Sequence, residues 1–119
     1  MTDVAEKELA PERVREMIED GAQVVDVREE REWEAGRMPG SVHIELNELT
    51  PRAEEIAKER PVVFVCRTGN RSGMAADAFR EAGWDAHNMA GGLVAWVESG
   101  MPLEPEDGEV YDRMGRPPG

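Results

Sequence analysis

One cysteine in 119 residues, Cys66, rules out an internal disulfide framework and an all-cysteine metal site. The two histidines, His43 and His87, stand far apart and give no ligand spacing to read, so neither metal nor cofactor is expected. No run approaches the roughly 18 apolar residues of a membrane span. The stretch from Met1 to Glu8 carries no apolar signal core, which makes the cytoplasm the expected location. Basic charge is also short: 14 Lys and Arg face 26 Asp and Glu, a net charge of −12. That balance argues against nucleic acid or an anionic membrane as a partner and fits an acidic, solvated surface. No internal repeat or low-complexity tract is present. A chain of this length forms one domain that buries roughly 65% of its unfolded surface.

What is there is concentrated in Cys66-Arg67-Thr68-Gly69-Asn70-Arg71-Ser72, which follows directly on the apolar run Val62 to Val65. A buried β-branched run that ends in a polar, Gly-containing turn and then becomes helical aims successive backbone N–H groups at the sulfur. Those groups and the positive end of the helix favour negative charge there. Arg67 and Arg71 add two cations, and Arg60 to Ala76 holds three arginines and no acid in an otherwise acidic chain. The thiolate is the attacking species, so this is a nucleophile, expected to face solvent, at the mouth of an anion cradle. Thr68, Asn70 and Ser72 either turn toward the sulfur or cap the helix. Gly69 and Gly73 serve backbone geometry.

Two continuous apolar runs, Gln23 to Val27 and Val62 to Val65, read as strands buried on both faces of a parallel sheet. Pro11 to Glu19 reads as a helix with Val14, Met17 and Ile18 as its apolar stripe and Gly21 closing it. Thr50-Pro51 opens a second expected helix with Ala53, Ile56 and Ala57 inward, ended by Pro61. Ser72 to Ala82 is the helix after the cysteine, with Gly83 as its stop. Trp84 to Asn88 is a weak strand, and Gly92 to Ser99 a short helix. Strands alternating with helices predict an α/β layer fold, and Cys66 falls at a strand's carboxyl end, where ligands sit in such sheets. Beyond Leu103 the composition turns to proline, glycine and mixed charge, so 104–119 is expected to be a frayed or loosely draped tail on a domain spanning 1–103.

Four segments carry a resemblance. Asp26-Val27-Arg28-Glu29 is similar to a D-x-R-x-x-x-E/D strand-end motif, and Gly36 to Ile44 to a G-H-I-P-G-A-x-x-I turn with Arg37 and Met38 as departures. Cys66 to Ser72 matches an active loop, and Gly91-Gly92-Leu93-Val94-Ala95-Trp96 a G-G-x-x-x-W closing helix. In this order they resemble the single-domain rhodanese family of sulfurtransferases. The resemblance implies a parallel β-sheet flanked by helices on both faces. It also implies that Cys66 takes sulfane sulfur from thiosulfate or another persulfide and passes it to cyanide or a thiol. The cradle of Arg67, Thr68, Gly69, Asn70, Arg71 and Ser72 would hold the small anionic donor and stabilise the persulfide. With no second cysteine to resolve it, turnover requires an external nucleophile, a protein thiol included.

Other readings stay in view. A Cys-based phosphatase or arsenate reductase places arginine six residues after the cysteine, where this chain has Ser72; Arg71 comes one residue early. A thiol hydrolase needs a histidine beside Cys66, and both histidines lie in segments that read as structural. A sulfur-relay or binding module would share the same persulfide and differ only in its acceptor. An inert buried thiol is the bland alternative. Trp33, Trp84 and Trp96 read as packing residues. Asp26 and Arg28 read as an ion pair bracing the loops beside Cys66.

Overall fold

In the computed structural model, which describes residues 6–119, five parallel strands form one sheet in the order β1-β5-β4-β2-β3. They are β1 (Glu8–Leu9), β2 (Gln23–Asp26), β3 (Val42–His43), β4 (Val62–Val65) and β5 (Ala86–Met89). Four helices connect or follow them: α1 (Pro11–Glu19), α2 (Glu30–Ala35), α3 (Asn70–Glu81) and α4 (Gly92–Glu98). Parallel neighbours need crossovers rather than hairpins, and α2 between β2 and β3 and α3 between β4 and β5 supply two of them.

The central strand β4 shows why both faces must be covered. Alternate side chains leave a strand on opposite sides. Val63 and Val65 therefore pack with Val14, Met17, Leu93 and Trp96 from α1 and α4, while Val62, Phe64 and Cys66 pack with Ala75, Ala76 and Phe79 of α3. Each face is closed by residues recurring at helical spacing, which is the periodicity that announces α1, α3 and α4 in the sequence. The register Val25↔Phe64 and Asp26↔Val65 brings the ends of β2 and β4 level, so Asp26 and Cys66 open onto the same edge of the sheet.

Three expectations need correction. The helix expected from Thr50-Pro51 is instead a single 3-10 turn, Ala53–Glu55, preceded by another, Leu46–Glu48, outside the expected range. Arg52, at φ −113° and ψ 16°, leaves the helical region, and only short-range bonds such as Ile56 N–H to Ala53 O at 3.0 Å follow it. The helix α2 and the two-residue strands β1 and β3 also appear where no regular element was expected. Cys66 is not solvent-facing: it is 1% exposed and belongs to the core cluster under α3, because the loop after it curls back over the sulfur.

The C-terminal segment lies in defined contact rather than frayed. Arg37 and Glu104 exchange both backbone hydrogen bonds, at 2.9 and 2.7 Å, and Glu109 N–H donates to Ala35 O at 2.9 Å. Val110 packs against the α1/α4 core. Trp33 stacks on His43 at 4.8 Å, Trp84 meets Phe79 edge-on, and Trp96 donates to Pro102 O, all packing roles.

Candidate active site

Cys66 follows the last residue of β4, and its sulfur accepts from two backbone N–H groups and lies beside a hydroxyl whose single proton Asn88 Oδ1 also claims. Gly69 N–H lies at 3.1 Å, Ser72 N–H at 3.4 Å and the Ser72 hydroxyl at 3.2 Å. Two of these are main-chain groups of the loop and first turn of α3, whose unsatisfied N–H groups point back at the strand end. The turn requires glycine at one position: Gly69 sits at φ 103°, where a Cβ is strained. Of the other loop side chains, Thr68 and Asn70 are exposed, and among the described residues neither makes a hydrogen bond to the sulfur.

Two arginines stand in the loop, but they are not equivalent. Arg71 closes a bidentate pair with Glu32, Nη1 to Oε1 at 2.8 Å and Nη2 to Oε2 at 3.0 Å. Burial works to lower its pKa, and the contact with Glu32, aided by the nearby Cys66 and Glu29, raises it overall, so the guanidinium stays charged. Its charge is nevertheless shared with a carboxylate, which corrects the expectation of two free cations. The Nε of Arg67 is buried and has no partner among the described residues.

Asp26 and Arg28 are both wholly buried and paired twice over. Arg28 Nε donates at 2.9 Å to Oδ1, and Nη2 at 2.7 Å to Oδ2. Nη2 also donates to Gly36 O at 2.8 Å, which ties the end of β2 to the turn after α2. The pair touches neither Cys66 nor any group on it. Neither histidine partners the sulfur: His43 bonds Arg28 O, and His87 bonds Asp85 and Glu6 O. Among the described residues no group of His, Cys, Asp and Glu could hold a metal, and no helix is long and apolar enough to cross a membrane.

The model of the rhodanese-like domain family matches residues 10–99. The chain belongs to that family. It is 36% identical over 103 residues to the thiosulfate sulfurtransferase GlpE of Pseudomonas aeruginosa, covering 86% of this chain and 93% of that one. It is 34% identical over 98 residues to the putative sulfurtransferase YtwF of Bacillus subtilis, covering 81% and 95%. A crystal structure of a rhodanese-related protein from Thermoplasma volcanium superposes with a TM-score of 0.77 at 26% identity, over 82% of this chain and 97% of the other. Family and relatives together support sulfurtransferase chemistry in general.

Within this rhodanese-like domain, three residues that shape the site escape a reading of the sequence. Glu32 sits in a polar helix, yet it is fully buried, accepting from Arg71 and from the N–H of Glu29 at 3.0 Å. The strand-end motif points to it, since its last acidic position falls six residues after Asp26. Asn88, on β5, accepts the Ser72 hydroxyl at 2.5 Å and donates to Gly69 O at 3.1 Å, so one buried amide fixes both ends of the cradle. Gly92 lets α4 approach so closely that a Cβ there would lie 2.4 Å from Arg67 O. That approach permits Leu93 N–H and Val94 N–H to donate to the carbonyls of Cys66 and Arg67, at 2.9 and 3.1 Å.

Beside the loop an open cleft of about 610 Å³ is floored by Val27 and Leu46 and walled by charged residues, with Arg71 contributed by the active loop and Met74 by α3.

Proposed function

We propose that the protein is a thiosulfate sulfurtransferase that works through a persulfide on Cys66. The observation that carries this reading is the pair of backbone N–H groups converging on one buried sulfur, with the Ser72 hydroxyl beside it. Water is excluded from the site, so N–H groups of Gly69 and Ser72 that need no reorganisation replace hydration of an anionic sulfur. The thiolate attacks the outer sulfur of thiosulfate. A Cys66–sulfur bond forms, the donor's sulfur–sulfur bond breaks, and its electron pair leaves with sulfite. Charge is conserved, three negative charges before and three after. The terminal sulfur of the persulfide carries one of them, and the same donors hold it.

Arg67 receives the donor's sulfonate end, and Arg71, held by Glu32, keeps the loop's shape while adding positive potential. Thr68 and Asn70 frame the entrance, and Ser72 sets its hydroxyl beside the sulfur. Asp26 and Arg28 brace the strand end. Cyanide or a thiol, small or on a protein, then removes the outer sulfur. A lone reactive thiol with no disulfide partner suits a reducing compartment such as the cytoplasm.

Mass spectrometry of the protein before and after thiosulfate is the test. Incubation adds the mass of one sulfur atom to Cys66, cyanide removes it as thiocyanate, and Cys66→Ser does neither. Thiocyanate production by the serine variant, or hydrolysis of an aryl phosphate by the parent at comparable efficiency, overturns the reading.

A further inference from the structure

The cleft that Arg71 of the active loop helps to line has one wall residue from the C-terminal segment, Arg113, and the chain builds a turn to display it. Asp112 accepts the N–H groups of Met114 and Arg116, both at 2.9 Å, and pairs with Arg116 Nε at 2.6 Å. Arg113 then reaches Glu29 Oε2 at 3.1 Å from Nη2, while Arg31 holds Oε1 of the same carboxylate at 2.8 Å. Two cations on one carboxylate leave a positive charge over. A guanidinium carries five N–H donors, so both arginines keep donors free for a further anion. An exposed ion pair of this kind contributes at most about 1 kcal/mol to stability, too little to account for the turn by itself.

The space is far larger than thiosulfate or cyanide needs and lies in the range that takes a larger organic molecule. Glu30 and Glu45 also line the cleft. They disfavour a multiply anionic occupant and tolerate an ammonium. Resting on the sulfurtransferase reading above, we propose that Arg113, with Arg31, is a specificity-determining residue that takes the carboxylate of a carboxylate-bearing thiol acceptor in this cleft. The thiol sulfur bonds the outer sulfur of the Cys66 persulfide, the inner sulfur–sulfur bond breaks, and its electron pair returns to Cys66. One thiol and one persulfide anion give one persulfide anion and the Cys66 thiol.

The test uses the full chain with sulfur loaded on Cys66 and compares N-acetylcysteine, which has a carboxylate, with neutral 2-mercaptoethanol. The parent prefers N-acetylcysteine. In Arg113→Gln that preference falls about two- to fivefold, the range open to an exposed charge contact, and Arg113→Lys restores part of it. A parent without the preference, or a preference unchanged in Arg113→Gln, overturns the proposal. If thiosulfate fails to load Cys66, a polysulfide donor loads it and the same ratio is measured, so the donor assignment and the acceptor site fail separately. If neither donor loads it, both fall.

Discussion

The pairs Asp26–Arg28 and Glu29–Arg113 use the same two chemical groups to opposite ends. The first is sealed, with both side chains at 0% exposure, four atoms engaged and the arginine also holding Gly36 O. The second is open to water, with side chains 61% and 33% exposed. A sealed pair is expensive to assemble and still more expensive to break, because removing one partner leaves a charge in a dry interior. An open pair can exchange its partner for another anion at little cost. Glu32–Arg71 lies between them, with the carboxylate sealed and the arginine 13% exposed. The inner pair fixes where the strand ends stand, the middle pair holds the active loop, and the outer one is free to meet a substrate.

That gradient can be broken by mutation. Asp26→Ala strands the Arg28 charge and is expected to cost roughly 3–5 kcal/mol, a melting temperature lower by on the order of 10–20 °C. A melt within a few degrees of the parent would place Arg28 in contact with water and end the contrast. Glu32→Gln keeps an acceptor for Arg71 but removes the charge, with an expected loss of about 1–3 kcal/mol. It is also expected to slow sulfur loading severalfold, read by quenched mass spectrometry, because Arg71 no longer pins the loop. Asn88→Ala is the sharper test of positioning. It frees the Ser72 hydroxyl and leaves Gly69 O with Gly73 N–H alone, and loading is expected to slow by about tenfold or less. Normal loading in Asn88→Ala would reduce that amide to a packing role.

The smallest effect is one of pH. Contacts with Arg31 first, then Arg113, hold the Glu29 carboxyl below the usual carboxylate range. A depressed folded-state pKa means that its contribution is present above the unfolded value and is lost as pH falls through the lower folded one. The tail contact should therefore loosen only in acid, below the ordinary glutamate range, with a fluorophore attached at the C-terminus reporting the release. Loosening near neutral pH would assign the anchor to another group.

How much of this is legible beforehand follows from the length scale of each signal. The runs at β2 and β4 and the stripes of α1, α3 and α4 are long enough for periodicity to declare them, and Cys66 stands at the end of the clearest one. Strands β1 and β3 have two residues each, too few to show alternation. Helix α2 reads EREWEA, with no apolar stripe, and its cap is Glu29 rather than a residue that usually starts helices. Glu32 looks like one more surface acid until Arg71, 39 residues later, arrives beside it. The free-standing cation of the loop could not be told from the paired one for the same reason. The tail's proline, glycine and mixed charge give no sign that it docks. Its docking depends on Gly36 and Gly108, whose bare backbones touch: a Cβ on Gly36 would lie 2.6 Å from Glu109 O.

Gly92 has an effect that reaches beyond fit. The amides at the start of α4 occupy the oxygens of Cys66 and Arg67, and Asn88 with Gly73 occupies that of Gly69. Each peptide plane in the loop has two orientations, one showing hydrogen to the sulfur and one showing oxygen. The plane that turns Gly69 N–H to the sulfur carries Thr68 O and lies between two pinned planes, those of Arg67 O and Gly69 O, so turning it over would strain both neighbours and set an oxygen against the sulfur. The loop thus has a fixed handedness of charge, set by the chain before any substrate arrives. A side chain at position 92 would leave the nucleophile in place and unlatch the planes around it, turning a permanent electrostatic mould into one that flickers.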